Sequence, residues 1–199
     1  MDNNIFRILA FLIIVTGAFI SGYYRRKADR KGGSVSLKEE GMAIAVALRV
    51  FGFSVWTAVF VWLINPTWME WSRIELPEWV RWLGVGMGIL ANFLAYWIFT
   101  NLDENISPTV VVREKAYLVT SGPYRWVRHP LYTMGTLAYL GFALLAENWF
   151  ITILSLLGFI VLALRTPKEE AHLLEKFGDE YRSYMERTGR YLPRLKKSI

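Results

Sequence analysis

Five apolar segments, long enough or nearly long enough to cross a bilayer, constrain this chain more than any other sequence feature. A membrane-spanning helix needs about 20 mostly apolar residues. Two of the segments are shorter than that, and only Glu147 and Asn148 separate them, which predicts a tight helical hairpin. The segments are 5–24, 42–64, 79–99, 131–146 and 149–164. We predict an all-α integral membrane bundle of about five transmembrane helices.

The composition agrees with a bilayer as the solvent for much of the chain. Of its 199 residues 54% are hydrophobic, with 9 Trp and 12 Phe, which is too apolar for a soluble domain of this length. The absence of cysteine excludes disulfides, thiolate chemistry and cysteine-ligated metals. Two histidines make an all-histidine metal site unfavourable as well, so we predict no bound metal.

Basic residues predict the orientation of the helices. Three stretches, 25–41, 100–130 and 165–199, hold 19 of the 23 Lys and Arg residues. Five helices with the N-terminus outside place all three stretches in the cytosol, as the positive-inside rule requires. We expect an integral protein of the cytoplasmic membrane with these three stretches on its cytosolic face. The net charge of +6 then serves orientation and contacts with membrane lipids, and we expect no nucleic-acid partner.

Three glycines in the third apolar segment, Gly84, Gly86 and Gly88, superficially resemble a nucleotide-binding loop. They lie inside an apolar helix and follow no strand, so the context of a dinucleotide-binding fold is missing. Small residues four apart on a membrane helix usually permit close helix packing. We interpret this stretch as a packing surface.

The segment 118–132 has the features of a helix start at the membrane surface. Pro130 is favoured at the first position of a helix, and Arg128 and His129 precede it directly. The unpaired N–H groups and the positive dipole end of such a helix attract a carboxylate or a phosphate. A second interpretation also remains, in which the arginines contact lipid headgroups and His129 caps the helix.

A second polar segment, 165–184, begins with the pattern Thr-x-x-Glu. Thr166 and Glu169 form a predicted capping box, with Pro167 at the first helical position of a cytosolic helix. This role explains Glu169 about as well as a functional role does. Glu170 has no such explanation, and two adjacent carboxylates at a membrane surface require a cationic partner.

In these two segments the chain resembles the isoprenylcysteine carboxyl methyltransferase family and its bacterial relatives. The resemblance covers roughly residues 101–195, so we divide the chain into N-terminal transmembrane helices (1–100) and a methyltransferase core (101–199). The matching motifs are Leu-Val-Thr-Ser-Gly-Pro-Tyr at 118–124, Arg-His-Pro-x-Tyr at 128–132, Glu-Glu-x-x-Leu at 169–173, Phe-Gly-x-x-Tyr-x-x-Tyr at 177–184 and Leu-Pro at 192–193.

The resemblance implies a membrane methyltransferase that uses S-adenosylmethionine and has no Rossmann domain. It places the cofactor in a cytosolic pocket that the C-terminal helix completes. Carried over by position, the cofactor-binding residues are Leu118, Val119, Tyr124, His129, Pro130, Tyr132, Glu169 and Glu170, and the catalytic residues are Arg128, Tyr132 and Glu170. We expect Arg128 and His129 to hold the methionyl carboxylate, and Glu170 to bind the ribose hydroxyls or the amino group.

The resemblance leaves the methyl acceptor open. Enzymes of the family that methylate prenylated cysteine usually have His where this chain has Ala116, and Gly where it has Met134. We expect a lipophilic or prenylated substrate from the bilayer. A prenylated peptide, another lipid carboxylate, a phospholipid amine and a small hydrophobic molecule all satisfy this expectation. The sequence gives no indication of an oligomeric state.

Two other classes of function remain as alternatives. A steroid-reductase-like membrane oxidoreductase looks similar in its helices and also carries Arg-His-Pro-x-Tyr, but it uses a nicotinamide cofactor and usually has Asn where this chain has Leu131. A non-catalytic membrane scaffold would use the basic C-terminal tail to bind anionic lipid. The paired carboxylates argue against the scaffold, since they repel such a surface.

Overall fold

The computed structural model describes residues 3–32, 42–102 and 117–194, which form a bundle of apolar helices. Two short 3-10 helices, Pro66–Ser72 and Gly122–Arg125, precede the third and fourth α-helices. The α-helices are α1 (Asn3–Gly32), α2 (Met42–Ile64), α3 (Glu78–Leu102), α4 (Pro130–Leu145) and α5 (Trp149–Arg187). All but α4 are long and apolar enough to cross a membrane, and α4 is a shorter apolar helix. The predicted membrane bundle is confirmed.

The helices alternate in direction, so their ends meet in two layers. Arg7 near the start of α1 donates hydrogen bonds to two carbonyl groups at the end of α2. In the opposite layer, Ala28 of α1 and Phe99 of α3 share a buried cluster against which Leu131, at the start of α4, packs. We call this second layer the polar end, because α5 continues there beyond its apolar part as the polar segment 165–187.

The close packing predicted for the glycine stretch is confirmed where α3 meets α4. A Cβ atom on Gly84 would lie 2.5 Å from the carbonyl oxygen of Gly141 and 2.6 Å from the backbone nitrogen of Leu145. Gly88 faces Ile13 of α1, and Gly86 faces open space. Two of the three glycines therefore allow neighbouring helices to approach closely.

The hairpin between α4 and α5 turns within three residues, Ala146, Glu147 and Asn148, one more than the sequence predicted. Glu147 has a positive φ of 53°, and the side chain of Asn148 caps α5 by accepting a hydrogen bond from the backbone N–H of Ile151 at 3.0 Å. The carboxylate of Glu147 lies 3.4 Å from Arg73 Nε and 3.6 Å from Arg81 Nη1. These contacts tie the hairpin to the segment before α3 and to α3 itself.

The helix start predicted at Thr166 is wrong, because α5 runs through this position without a break. The hydroxyl of Thr166 donates to the carbonyl of Leu162 at 2.8 Å, so it bonds back into the helix and caps nothing. Pro167 lies inside the helix. The predicted C-terminal helix is the polar continuation of α5, and its departure from helical geometry comes later, at Gly178, with a φ of 54°.

After α5 the chain folds back across the start of α4. We call residues 188–194 the strap. Its Gly189 pairs with Val127 in a parallel bridge, and the carbonyl groups of Gly189 and Arg190 accept hydrogen bonds from the backbone N–H groups of Arg128 and His129 at 2.9 and 3.0 Å. The strap therefore brings the C-terminal residues to the N-terminus of α4.

Candidate active site

The loop before α4 takes its shape from one tight contact with α3. Gly122 has a φ of 55°, and a Cβ atom there would overlap the side chain of Asn101 at the end of α3. The hydroxyl of Ser121 donates to the side-chain oxygen of Asn101 at 3.2 Å. This contact sets the path of the chain from the end of α3 to Arg128 and His129.

Glu170 is the centre of a buried ion-pair cluster at the polar end. Its Oε1 accepts a hydrogen bond from Arg128 Nε at 2.9 Å and lies 3.3 Å from His129 Nε2, and its Oε2 accepts one from Arg190 Nη2 at 2.6 Å. Burial by itself would raise the pKa of this carboxyl, but the hydrogen bonds from His129, Arg190 and Arg128 lower it to about 2. Glu170 is therefore ionised at neutral pH.

Arg128 has structural contacts in addition to its ion pair. Its Nη1 donates to the carbonyl group of Met185, at 3.0 Å, and to that of Thr188. Its side chain is only 9% exposed. Arg128 thus connects the start of α4 with the end of α5, and most of its hydrogen-bonding capacity is already used.

Glu169 and Tyr132 form the second polar pair of the cluster. The phenol of Tyr132 donates to Glu169 Oε2 at 2.5 Å, and the ring of Tyr132 stacks on that of His129 with centroids 5.3 Å apart. His129 Nδ1 lies 3.9 Å from the same carboxylate oxygen. The predicted capping role of Glu169 is therefore wrong, since its carboxylate faces α4 and Tyr132.

An apolar wall adjoins these polar groups. Val119 and Tyr124 are buried with Ile98 of α3, and Met134 of α4 packs against them. Leu118 is half-buried. The backbone carbonyl of Tyr124 also accepts a hydrogen bond from the hydroxyl of Tyr184 at 2.6 Å, which connects this wall to α5.

A buried hydroxyl beside the cluster has hydrogen-bonding capacity that the described residues do not use. Tyr181 is 1% exposed, and none of those residues hydrogen-bonds its phenol. Burial raises its pKa, and the negative charge of Glu170 raises it further. Buried polar groups are normally paired. The site therefore offers carboxylates, cations and an unused hydroxyl. These groups are chemically complementary to the amino-acid and ribose groups of S-adenosylmethionine.

The structure brings the predicted site residues together at the polar end, in two groups. Arg128, His129, Pro130 and Tyr132 at the start of α4 meet Glu169 and Glu170 of α5, whereas Leu118, Val119 and Tyr124 lie on the side facing α3. Ala116 lies outside the described residues. Leu192-Pro193 was the only sequence motif that pointed to the strap, and the strap adds Arg190 and Tyr191 to the site.

Tyr191 fixes the strap against both helices. Its backbone carbonyl accepts a hydrogen bond from Thr133 Oγ1 at 2.6 Å, and its phenol donates to Thr166 Oγ1 at 2.7 Å. Its ring lies 5.3 Å from that of Phe159 and 6.0 Å from that of His129. Arg190 and Tyr191 directly precede the Leu-Pro motif, and this position was the one sequence feature that could have identified them as site residues.

The comparison with family models gives a match that covers α3, α4 and most of α5 and ends before the strap. Residues 79–180, just over half of the chain, match the family described as phospholipid methyltransferase. Two curated relatives are the cobalt-zinc-cadmium resistance protein CzcN of Cupriavidus metallidurans, 35% identical over 42% of this chain, and the methanethiol S-methyltransferase of Pseudomonas deceptionensis, 28% identical over 76%. The aligned parts span 38% and 60% of these relatives' own lengths.

Among solved structures, this fold is similar to that of the eukaryotic intramembrane Ras methyltransferase ICMT (isoprenylcysteine carboxyl methyltransferase). The TM-score is 0.57 at 19% sequence identity, and the match covers 99% of this chain and 75% of that one. At this identity the likeness concerns the arrangement of the helices.

Proposed function

Since the chain belongs to the phospholipid methyltransferase family, we propose that it transfers the methyl group of S-adenosylmethionine to a lipophilic acceptor in the membrane. The observation that best supports this proposal is the buried cluster at the polar end. There two adjacent carboxylates of α5, Glu169 and Glu170, meet hydroxyl and cationic groups from α4 and the strap. This is a set of polar groups gathered beside an apolar wall, as a cofactor with polar and apolar parts requires.

The residues divide into those suited to polar groups and those suited to apolar ones. Glu169 and Glu170 would accept hydrogen bonds from ribose hydroxyls or from the ammonium group. Leu118 and Val119 would contact the less polar adenosine. Tyr132 donates to Glu169 and so fixes the orientation of that carboxylate.

Methyl transfer at this site depends on positioning and on the exclusion of water. When bound, the cofactor supplies a methyl group on a positively charged sulfonium. A carboxylate acceptor held in line with the C–S bond would lose its negative charge as the sulfonium lost its positive charge, so the transition state would be less charged than the reactants. A buried site with an apolar wall favours such a step, and holding the partners in line contributes to the rate.

We infer that the acceptor is a lipophilic carboxylate. A carboxylate needs no general base, whereas an amine or a hydroxyl does. The side chains from which a base would come, His129 and Glu169, already contact Glu170 and Tyr132. Carboxyl and thiol acceptors both appear in the names of the similar proteins, namely isoprenylcysteine carboxyl methyltransferase and methanethiol S-methyltransferase.

Met134 bears on the size of that acceptor. It packs against the buried cluster of Ile98, Val119 and Tyr124, at the position where prenylcysteine enzymes usually have glycine. Its side chain takes up space beside the site that glycine would leave open, and a methionine can line an apolar channel. We therefore propose an acceptor with a slimmer apolar body than a prenyl chain, entering from the bilayer.

Ligand-dependent thermal stability tests this proposal against the nicotinamide-dependent alternative. Purified protein is heated in detergent and in lipid nanodiscs with S-adenosylhomocysteine, with NADPH, or with neither. A ligand that binds only the folded state raises the melting temperature. We expect S-adenosylhomocysteine to raise it in both media and NADPH to leave it unchanged. Stabilisation by NADPH alone would indicate a reductase, and stabilisation by neither would contradict both enzymatic functions.

A further inference from the structure

Among the described residues, the side chains of Arg128, His129 and Arg190 contact Glu170, and of these Arg190 alone is substantially exposed. Its side chain is 45% exposed, compared with 9% for Arg128 and 4% for His129. An exposed guanidinium exchanges one partner for another at little cost, because water solvates it during the exchange. Arg190 is therefore the member of the cluster that is best able to change partners.

The strap fixes the backbone of Arg190 while its side chain remains accessible. The carbonyl of Arg190 accepts a hydrogen bond from the backbone N–H of His129, and the following residue is held by Thr133 and Thr166. A movement of the guanidinium away from Glu170 thus requires only side-chain rotation. The donor stays beside the start of α4 throughout.

The division of hydrogen bonds on Glu170 allows one cation to leave. Oε1 contacts Arg128, His129 and Arg190, whereas among the described residues Oε2 accepts a hydrogen bond from Arg190 only. If Arg190 leaves, Glu170 still has Arg128 and His129 as partners, so no unpaired charge is left buried. Its Oε2 then becomes available to a new donor. Departure of Arg128 would instead also break its bonds to Met185 and Thr188.

We propose that the pair formed by Arg190 and Glu170 Oε2 opens to receive the amino-acid zwitterion of the cofactor, an inference that rests on the proposed function. Arg190 binds the ligand carboxylate, for which the planar guanidinium fork is well suited. Glu170 Oε2 accepts a hydrogen bond from the ligand ammonium. The exchange leaves no charge unpaired, because the single ion pair of Arg190 with Glu170 is replaced by two ion pairs with the ligand. This reassigns to Arg190 the carboxylate-binding role that the sequence had suggested for Arg128 and His129.

The test compares two ligands on three proteins by isothermal titration calorimetry. The ligands are S-adenosylhomocysteine and its decarboxylated analogue, which retains the amino group and the adenosine. The proteins are the wild type, Arg190→Gln and, as a matched control, Arg182→Gln, whose side chain is 70% exposed and, among the described residues, pairs with exposed Asp179. We expect the wild type and Arg182→Gln to bind S-adenosylhomocysteine about 10- to 100-fold more tightly than the analogue. In Arg190→Gln this preference should nearly vanish.

Each outcome bears on the inference separately from the proposed function. An equal loss of affinity for both ligands in Arg190→Gln would show a merely structural role and overturn the inference, as would an unchanged preference. If the wild type binds neither ligand, the proposed function itself fails. Should Arg190→Gln not fold, Arg190→Lys keeps the charge but not the fork, and it should retain part of the preference. A full preference in the lysine variant would contradict the fork-type contact.

Discussion

Glu170 connects three parts of the chain that lie far apart in sequence. Through one carboxylate it joins the residues before α4, the polar part of α5 and the strap. Breaking a buried ion pair by removing one partner typically costs about 3–5 kcal/mol, since the other charge stays buried. Glu170 therefore stabilises the fold of the polar end in addition to the role we propose for it in binding.

The stability of the protein should fall in acid because of Glu170. The pKa of this carboxyl is lowered to about 2 in the folded protein from an ordinary value of 4.5. Its ionisation therefore contributes about 3 kcal/mol to the free energy of unfolding, which is fully present above pH 4.5 and is lost as the pH falls towards 2. Melting curves by tryptophan fluorescence between pH 2 and 7 measure this. Glu170→Gln should have a lower melting temperature than the wild type at pH 7, and this difference should disappear in acid. A difference that stays constant with pH would contradict the ion-pair account.

The sequence predicted residues that the structure brings together at the polar end, but not how they are bonded. Arg128, His129 and Glu170 were identified from short motifs, each of which is local. The bonds between them depend on the packing of α4 against α5 and on the return of the strap, which no local pattern encodes. Arg190 was missed for the same reason, because its partner lies 20 residues earlier in a helix that was predicted to begin elsewhere.

At the scale of elements, α5 illustrates where local patterns mislead. Thr166, Pro167 and Glu169 have the sequence of a helix start, yet the helix continues through them. The threonine hydroxyl has an alternative acceptor in the carbonyl of Leu162, and Glu169 has an alternative donor in Tyr132. Tertiary contacts therefore decided between two uses of the same side chains. The apolar segments were predicted more reliably, because hydrophobicity over about 20 residues leaves few alternatives.

The contact between α3 and α4 should depend strongly on one glycine. Gly84→Ala places a methyl group against backbone atoms of α4, which cannot move away to avoid the overlap. We therefore expect the free energy of unfolding to fall by about 1–3 kcal/mol and the melting temperature to fall by several degrees. Gly86→Ala, two residues along the same helix, places its methyl group in open space. This control should melt no lower than the wild type. Equal destabilisation by both would argue against close packing at Gly84.

At the scale of the whole molecule, the polar segments gather at one end of the bundle. The basic end of α1, the start of α4 and the polar part of α5 all lie there, as the alternation of five helices requires. The fold class followed from hydropathy and charge alone, because both patterns extend over the full length of the chain. The orientation in the membrane is a proposal, in which this end faces the cytosol.

Single cysteines test that orientation, since the natural chain has none. Glu75→Cys lies at the end opposite the site, and Asp179→Cys lies in the polar part of α5, where the side chain of Asp179 is 95% exposed. In intact cells a membrane-impermeant maleimide should label Glu75→Cys and leave Asp179→Cys unlabelled. Both should be labelled after the cells are opened. The reverse pattern in intact cells would place the site outside.

The most direct test of the central claim is calorimetric titration of S-adenosylhomocysteine into the wild type, Glu169→Gln and Glu175→Gln. Glu175 lies on the same helix with its side chain 83% exposed, so it serves as the matched control. We predict saturable binding to the wild type and to Glu175→Gln, and affinity weakened about 10-fold or more in Glu169→Gln. No binding to folded wild-type protein, or equal binding by all three, would contradict the assignment of the cofactor to the cluster at the polar end.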